Sequence, residues 1–207
     1  MDDHLRSLVD RSQDLGEDVL SACVGDVAQC LQNDAWFCRS QGGTMVHVAN
    51  KLSKFARVTD CAIGLGAIAS RLDTQRLQAR EIPMYLNAFC KFPGNQSCRR
   101  AALDLARHVG MVCNMLIDKF KAQDVANTLN ALSKWPEEAD ARDAALRLAQ
   151  HLVKVSNALL GKFNTQDVAN TLNALSKWSE EADARHAALR LAQHLVKMSN
   201  ALLGKFK

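Results

Sequence analysis

Amide and ammonium side chains recur at helical spacing in this chain, and they have the best claim to chemistry. Gln123, Asn127, Asn130 and Lys134 stand at i, i+4, i+7 and i+11, which brings them to one side of an α-helix. Gln166, Asn170, Asn173 and Lys177 repeat the set 43 residues further on. Earlier in the chain, Asn50 with Lys54 and Asn87 with Lys91 hold the last two places of the same set. Primary amides can hydrogen-bond a peptide backbone or base edges, and a row of lysines can track phosphates at helix-to-helix distances of roughly 8 to 10 Å. The competing reading is structural: stacked asparagines bond to the backbone of the adjacent repeat and the lysines are solvated.

Other reactive residue types do not assemble into a site. His108, His151 and His194 also recur at 43-residue intervals, but each sits beside a leucine stripe and has no acidic residue at i+4. They are expected to be boundary residues with one satisfied hydrogen bond each rather than a metal-binding column. Cys113 follows His108 by five residues, which on a helix points the two side chains apart. There is no glycine-rich phosphate loop, paired-carboxylate site or metalloprotease helix, so neither enzymatic activity, cofactor nor metal is expected. Seven cysteines at 23, 30, 38, 61, 90, 98 and 113 lack close-paired metal spacing and are absent from residues 121–207. A disulfide framework would recur with the repeat, so a reduced, intracellular setting is expected.

The elements that position the amides are written twice. Residues 164–206 repeat 121–163 with five substitutions, and a fixed period of this size marks a stacked repeat architecture. Within a copy, Val125, Leu129, Leu132 and Trp135 form the apolar stripe of a first helix over 123–135. Ala145, Leu148, Leu152, Val155 and Leu159 form that of a second over 137–160. Pro136, Glu137 and Glu138 mark the second helix's start, Ser179 stands in for Pro136 in the later copy, and Gly161 and Gly204 supply caps. Trp135 and Trp178 are expected in the core.

Two weaker units precede these. One spans 80–120, with Pro83 in the first helical turn and Pro93-Gly94-Asn95 between the helices. The other spans 44–79, opened by Thr44 as a helix cap and six residues short, the loss falling near 56–60. Residues 1–43 read as an acidic N-terminal helical cap or degenerate repeat, with a helix over 17–31 and Trp36 and Phe37 anchoring a loop. The fold class is therefore all-α: a right-handed α-α solenoid of about four helix-turn-helix repeats, 44–79, 80–120, 121–163 and 164–207, behind that cap.

Charge is divided unequally, with net −5 over residues 1–43 and net +9 over the remainder. The basic repeats permit a polyanionic partner, although lysine and arginine on amphipathic helices are ordinarily the solvated face. The first residues carry neither a basic start nor an apolar run, and no stretch approaches ~18 apolar residues, which predicts a soluble chain without a secretory leader or membrane span. The last copy matches an internal one leucine for leucine, so its outer stripe lacks a polar cover. Two outcomes are expected: self-association through the C-terminal repeat, or membership of a longer array.

Ser133-Lys134-Trp135-Pro136, preceded by Ala126-Asn127-Thr128-Leu129-Asn130-Ala131-Leu132, resembles the repeat that names the SKWP-repeat type III effectors of plant-pathogenic bacteria. The motif stands as Ser176-Lys177-Trp178-Ser179 in the last copy and thins to Cys90-Lys91-Phe92-Pro93 and Ser53-Lys54-Phe55 earlier. The resemblance implies a HEAT/armadillo-like array, delivered by a type III system into a host plant cell, that binds proteins as a scaffold; members of that family are far longer. The Ala-Asn-Thr-Leu core is also similar to octotricopeptide and related RNA-binding repeats, which implies an RNA-binding array as the alternative. Gln, Asn, Asn and Lys do not vary between the last two copies, so such an array would read a monotonous sequence or none.

Overall fold

The computed structural model describes residues 42–55, 59–116, 119–154 and 161–203. All regular structure among them is helical. The eight α-helices are α1 (Thr44–Leu52), α2 (Thr59–Ala69), α3 (Glu81–Phe89), α4 (Gln96–Leu116), α5 (Ala122–Leu132), α6 (Ala139–Lys154), α7 (Thr165–Leu175) and α8 (Ala182–Leu203). They fall in two compact units, Met1–Leu105 and Ala106–Lys207. The expected N-terminal cap, the helix over 17–31 and the Trp36-Phe37 anchor lie outside the described residues, as do residues 155–160, the expected end of a second helix, and Gly204; Gly161 stands in an exposed turn.

In the second unit the first helices of consecutive copies pack together, α5 on α7, and so do the second helices, α6 on α8. Within each copy α5 packs on α6 and α7 on α8. The core is built from the expected stripes: Val125, Leu129, Leu132, Leu148 and Leu152 are fully buried, and Trp135 and Trp178 nearly so. Trp178 Nε1 donates to the carbonyl of Pro136 one repeat earlier, at 3.2 Å. Pro136 is thus a turn residue rather than the start of a helix, since α6 opens only at Ala139. In the first unit α1 packs on α2 and on α3, with Tyr85 and Phe89 stacked at a centroid separation of 5.6 Å in its core.

Helix starts carry a recurring device that the hydrophobic pattern does not reveal. Glu81, Asp124 and Asp167 each accept a hydrogen bond from the backbone N–H three residues earlier, from Gln78 at 2.8 Å, Lys121 at 2.9 Å and Asn164 at 3.2 Å. At α7 the bond is reciprocated, Asp167 N–H donating to Asn164 Oδ1 at 2.8 Å, which completes a capping box. Thr44 does not cap α1. It is the first residue of the helix, buried, and the cap position belongs to Gly43.

The short unit also departs from expectation. Thr59 and Gln96 open α2 and α4, and they stand at the same 37-residue offset as Asn50 and Asn87. The six missing residues therefore come out after α2 has begun, not from the turn before it. The α2 helix ends at Ala69, and the chain passes through a 3₁₀ turn over Thr74–Arg76, where Asp73 Oδ1 accepts from Gln75 N–H at 3.1 Å. Trimming a helix at its end leaves the stripe of the remaining turns in register.

Candidate interaction surface

The turn after each first helix places one end of the candidate surface. Ser53 Oγ donates to Asn50 O at 2.7 Å, Cys90 Sγ to Asn87 O at 3.3 Å, Ser133 Oγ to Asn130 O at 2.8 Å and Ser176 Oγ to Asn173 O at 2.7 Å. The carbonyls of the four recurring asparagines are carbonyls of the last helical turn, which have no intrahelical donor. The side chain three residues later supplies one. The Ser-Lys-Trp segment is therefore a helix stop as well as a repeat signature, a role that the asparagine-to-serine spacing carries in the sequence and that periodicity analysis passes over.

This stop separates the lysines from the asparagines. The α5 helix ends at Leu132 and α7 at Leu175, so Lys134 and Lys177 stand on the succeeding turns rather than four residues further along a helical face. Lys54 and Lys177 lie in short 3₁₀ turns, Lys91 and Lys134 in hydrogen-bonded turns. All four lysines are exposed, as are Gln123, Gln166 and Asn173, while Asn50, Asn87, Asn127, Asn130 and Asn170 are half-buried. Within the second unit α5, which carries Gln123, Asn127 and Asn130, packs on α7, which carries their copies, and in the first α1, with Asn50, packs on α3, with Asn87.

The amides remain open to a ligand. Gln166 Nε2 donates to Asn170 Oδ1 at 2.8 Å, but among the described residues no hydrogen bond ties the side chains of Asn50, Asn87, Asn130 or Asn173 to an adjacent repeat. One lysine reaches across repeats, Lys91 Nζ to Ser53 Oγ at 3.4 Å. No Phe, Tyr or Trp ring whose side chain is described is exposed: Tyr85, Phe89, Phe92, Phe120, Trp135, Phe163 and Trp178 are all buried.

His108 and His151 differ in environment, and the side chain of His194 lies outside those described. His108 is buried rather than a boundary residue, its Nδ1 has no hydrogen-bond partner, and burial lowers its pKa. His151 is half-buried. Among the described residues no group of His, Cys, Asp and Glu could hold a metal. Cys61, Cys90 and Cys98 are buried and not in disulfides, and burial pushes the Cys98 thiol up to about 12, which keeps it protonated and inert. No described helix is long and apolar enough to cross a membrane. No protein-family model, curated protein or solved structure matches the chain.

Proposed function

We propose that this chain is a non-catalytic helical-repeat scaffold that binds protein partners through the Asn/Lys surface, its repeats stacking within each unit as a right-handed α-α solenoid. The observation that carries the reading is a surface on which the side chains of Asn50, Asn87, Asn130 and Asn173 are tied to no adjacent repeat, whose lysines are exposed, and beside which no described Phe, Tyr or Trp side chain is exposed. Amides that are not tied to an adjacent repeat suit an extended peptide segment, whose N–H and C=O groups they can bond. Single-stranded nucleic acid binders rely on aromatic platforms for successive bases, and the rings here serve the core. The Ser-Lys-Trp-Pro resemblance supplies the setting: delivery by a type III system, and a partner in a host plant cell.

Site-specific photocrosslinking tests this. A photoreactive side chain at Asn130 or Asn173 should yield protein adducts in cell extract that are lost when Lys54, Lys91, Lys134 and Lys177 are all changed to Glu, whereas the same group at Arg142, exposed on α6, should yield none. Adducts that collapse on ribonuclease treatment would transfer the surface to RNA. In that event the affinity for single-stranded RNA should fall with salt at a log-log slope of about −3 for four phosphate contacts.

A further inference from the structure

Charge distinguishes the two units on the surface that carries the recurring asparagines and lysines. In the second unit each lysine is followed three and four residues on by glutamates, Lys134 by Glu137 and Glu138, and Lys177 by Glu180 and Glu181. In the first unit the chain after Lys91 runs Phe92-Pro93-Gly94-Asn95, without a carboxylate. Residues 42–55 and 77–94, which hold α1, α3 and their flanking turns, contain one acid, Glu81. It is 2% exposed, and its carboxylate accepts from Gln78 N–H at 2.8 Å. It also lies so close to the chain entering α1 that a β-carbon at Gly42 would stand 2.9 Å from Oε2. The nearest acid before α3, Asp73, pairs with Arg76 at 3.2 Å. Of the basic side chains in the same two segments, Lys54, Arg80 and Lys91 are exposed and Lys51 is half-buried. The charge that these segments present to solvent is therefore cationic.

Two of the cations meet at one end of the surface. Lys54 and Lys91 occupy equivalent turns after α1 and α3, helices that pack on each other. Lys91 Nζ donates to Ser53 Oγ at 3.4 Å, which carries its ammonium across to the residue next to Lys54. Like charges at close quarters repel, and a carboxylate set between them replaces that cost with attraction.

We propose that the α1–α3 surface of the first unit takes an acidic segment of a partner protein, an extended stretch with aspartate or glutamate at about every third residue. This rests on the peptide-binding reading above and names the chemistry of the peptide. Packed helices stand roughly 8 to 10 Å apart, and about three extended residues span that distance, so carboxylates in this register reach Lys54 and Lys91 in turn. The half-buried Asn50 and Asn87, each four residues before its lysine, can bond the intervening N–H and C=O groups. In the second unit the glutamates that follow each lysine offset its charge, so acidic recognition belongs to the first.

Fluorescence anisotropy of the full chain with a labelled peptide, glutamate at every third position among serine and glycine, tests the chemistry. The peptide should bind with a Kd on the order of 100 µM or tighter at low salt, and the affinity should fall steeply as salt rises to about 0.5 M. Lys54→Gln with Lys91→Gln should weaken binding by ~10-fold or more. Arg100→Gln with Arg142→Gln removes the same charge from exposed positions on α4 and α6 and should change it by less than about 2-fold. The same peptide with glutamine for glutamate should bind at least ~10-fold more weakly. Equal binding of the two peptides, equal loss in the two double variants, or no binding of the glutamate peptide up to about 1 mM would overturn the acidic partner. Each would leave the wider protein-binding reading, which the photocrosslinks at Asn130 and Asn173 decide separately. Single-stranded RNA that displaces the peptide and binds more tightly would also overturn it, assigning the surface to a phosphate backbone.

Discussion

His108 is the residue whose chemistry is most out of place. Its ring is buried and Nδ1 lacks a partner, so charging it in the folded state means charging a desolvated group. Its pKa is lowered below the value near 6.5 that it regains on unfolding. As pH falls through about 6.5 the unfolded chain takes up the proton first, and stability is lost until the folded-state pKa is passed. His108→Leu removes this term and the unpaired nitrogen together. The variant should be at least as stable as the parent at pH 7.5 and should lose less stability between pH 7.5 and 5, read from urea midpoints at each pH. Equal pH dependence in the two proteins would place the acid sensitivity elsewhere. The sequence marks His108 only as the earliest of three recurring histidines; burial depends on what packs against α4, which spacing cannot report.

At the scale of the element, one side chain in the first unit bonds to both α2 and α4. Asn95 Oδ1 accepts from Cys98 N–H at 3.1 Å, capping α4, while Asn95 Nδ2 donates to Ala62 O on α2 at the same distance. Gly66 makes room for it: a β-carbon there would meet Asn95 Nδ2 at 3.0 Å and Oδ1 at 3.2 Å. Gly66→Leu must displace the amide from both bonds and should cost about 2 kcal/mol or more despite leucine's better helix propensity. Asn95→Ala should cost about 1 to 2 kcal/mol. In the double variant the two penalties should fall short of additive, because the leucine then has no amide to displace. Chemical denaturation of the four proteins measures the coupling; full additivity would mean that Gly66 and Asn95 act separately.

The helices themselves were legible because each apolar stripe has one period, but their ends were not. Pro136 looked like a helix start by residue type, yet three further residues pass before α6 opens. Thr44 looked like a cap and is buried inside α1. The signals that do hold, the acid that accepts a backbone N–H three residues back and the serine that bonds the asparagine carbonyl, are each a single polar residue at fixed spacing, and they stand out only once the hydrogen bonds are known. For the same reason the amide and lysine sets are legible as repeated letters, while their division between helix and turn depends on where Ser133 and Ser176 stop α5 and α7.

Across the repeated half of the molecule, identical letters occupy different environments, and this separates sequence from context. Leu129 and Leu172 are the same residue in the same heptapeptide, Ala-Asn-Thr-Leu-Asn-Ala-Leu. Leu129 is fully buried between its neighbours, while Leu172 retains part of its surface. In a stack stabilised by nearest-neighbour interfaces, an interior unit gains from two sides and a unit with an exposed outer face from one. Leu129→Ala should therefore cost about 2 to 5 kcal/mol, the range for a buried leucine whose cavity cannot collapse, and Leu172→Ala about half of that or less. Intrinsic helix propensity cancels in the comparison because the local sequences match. Chemical denaturation of the two variants measures the gap; equal costs would mean that the two copies share one environment in solution.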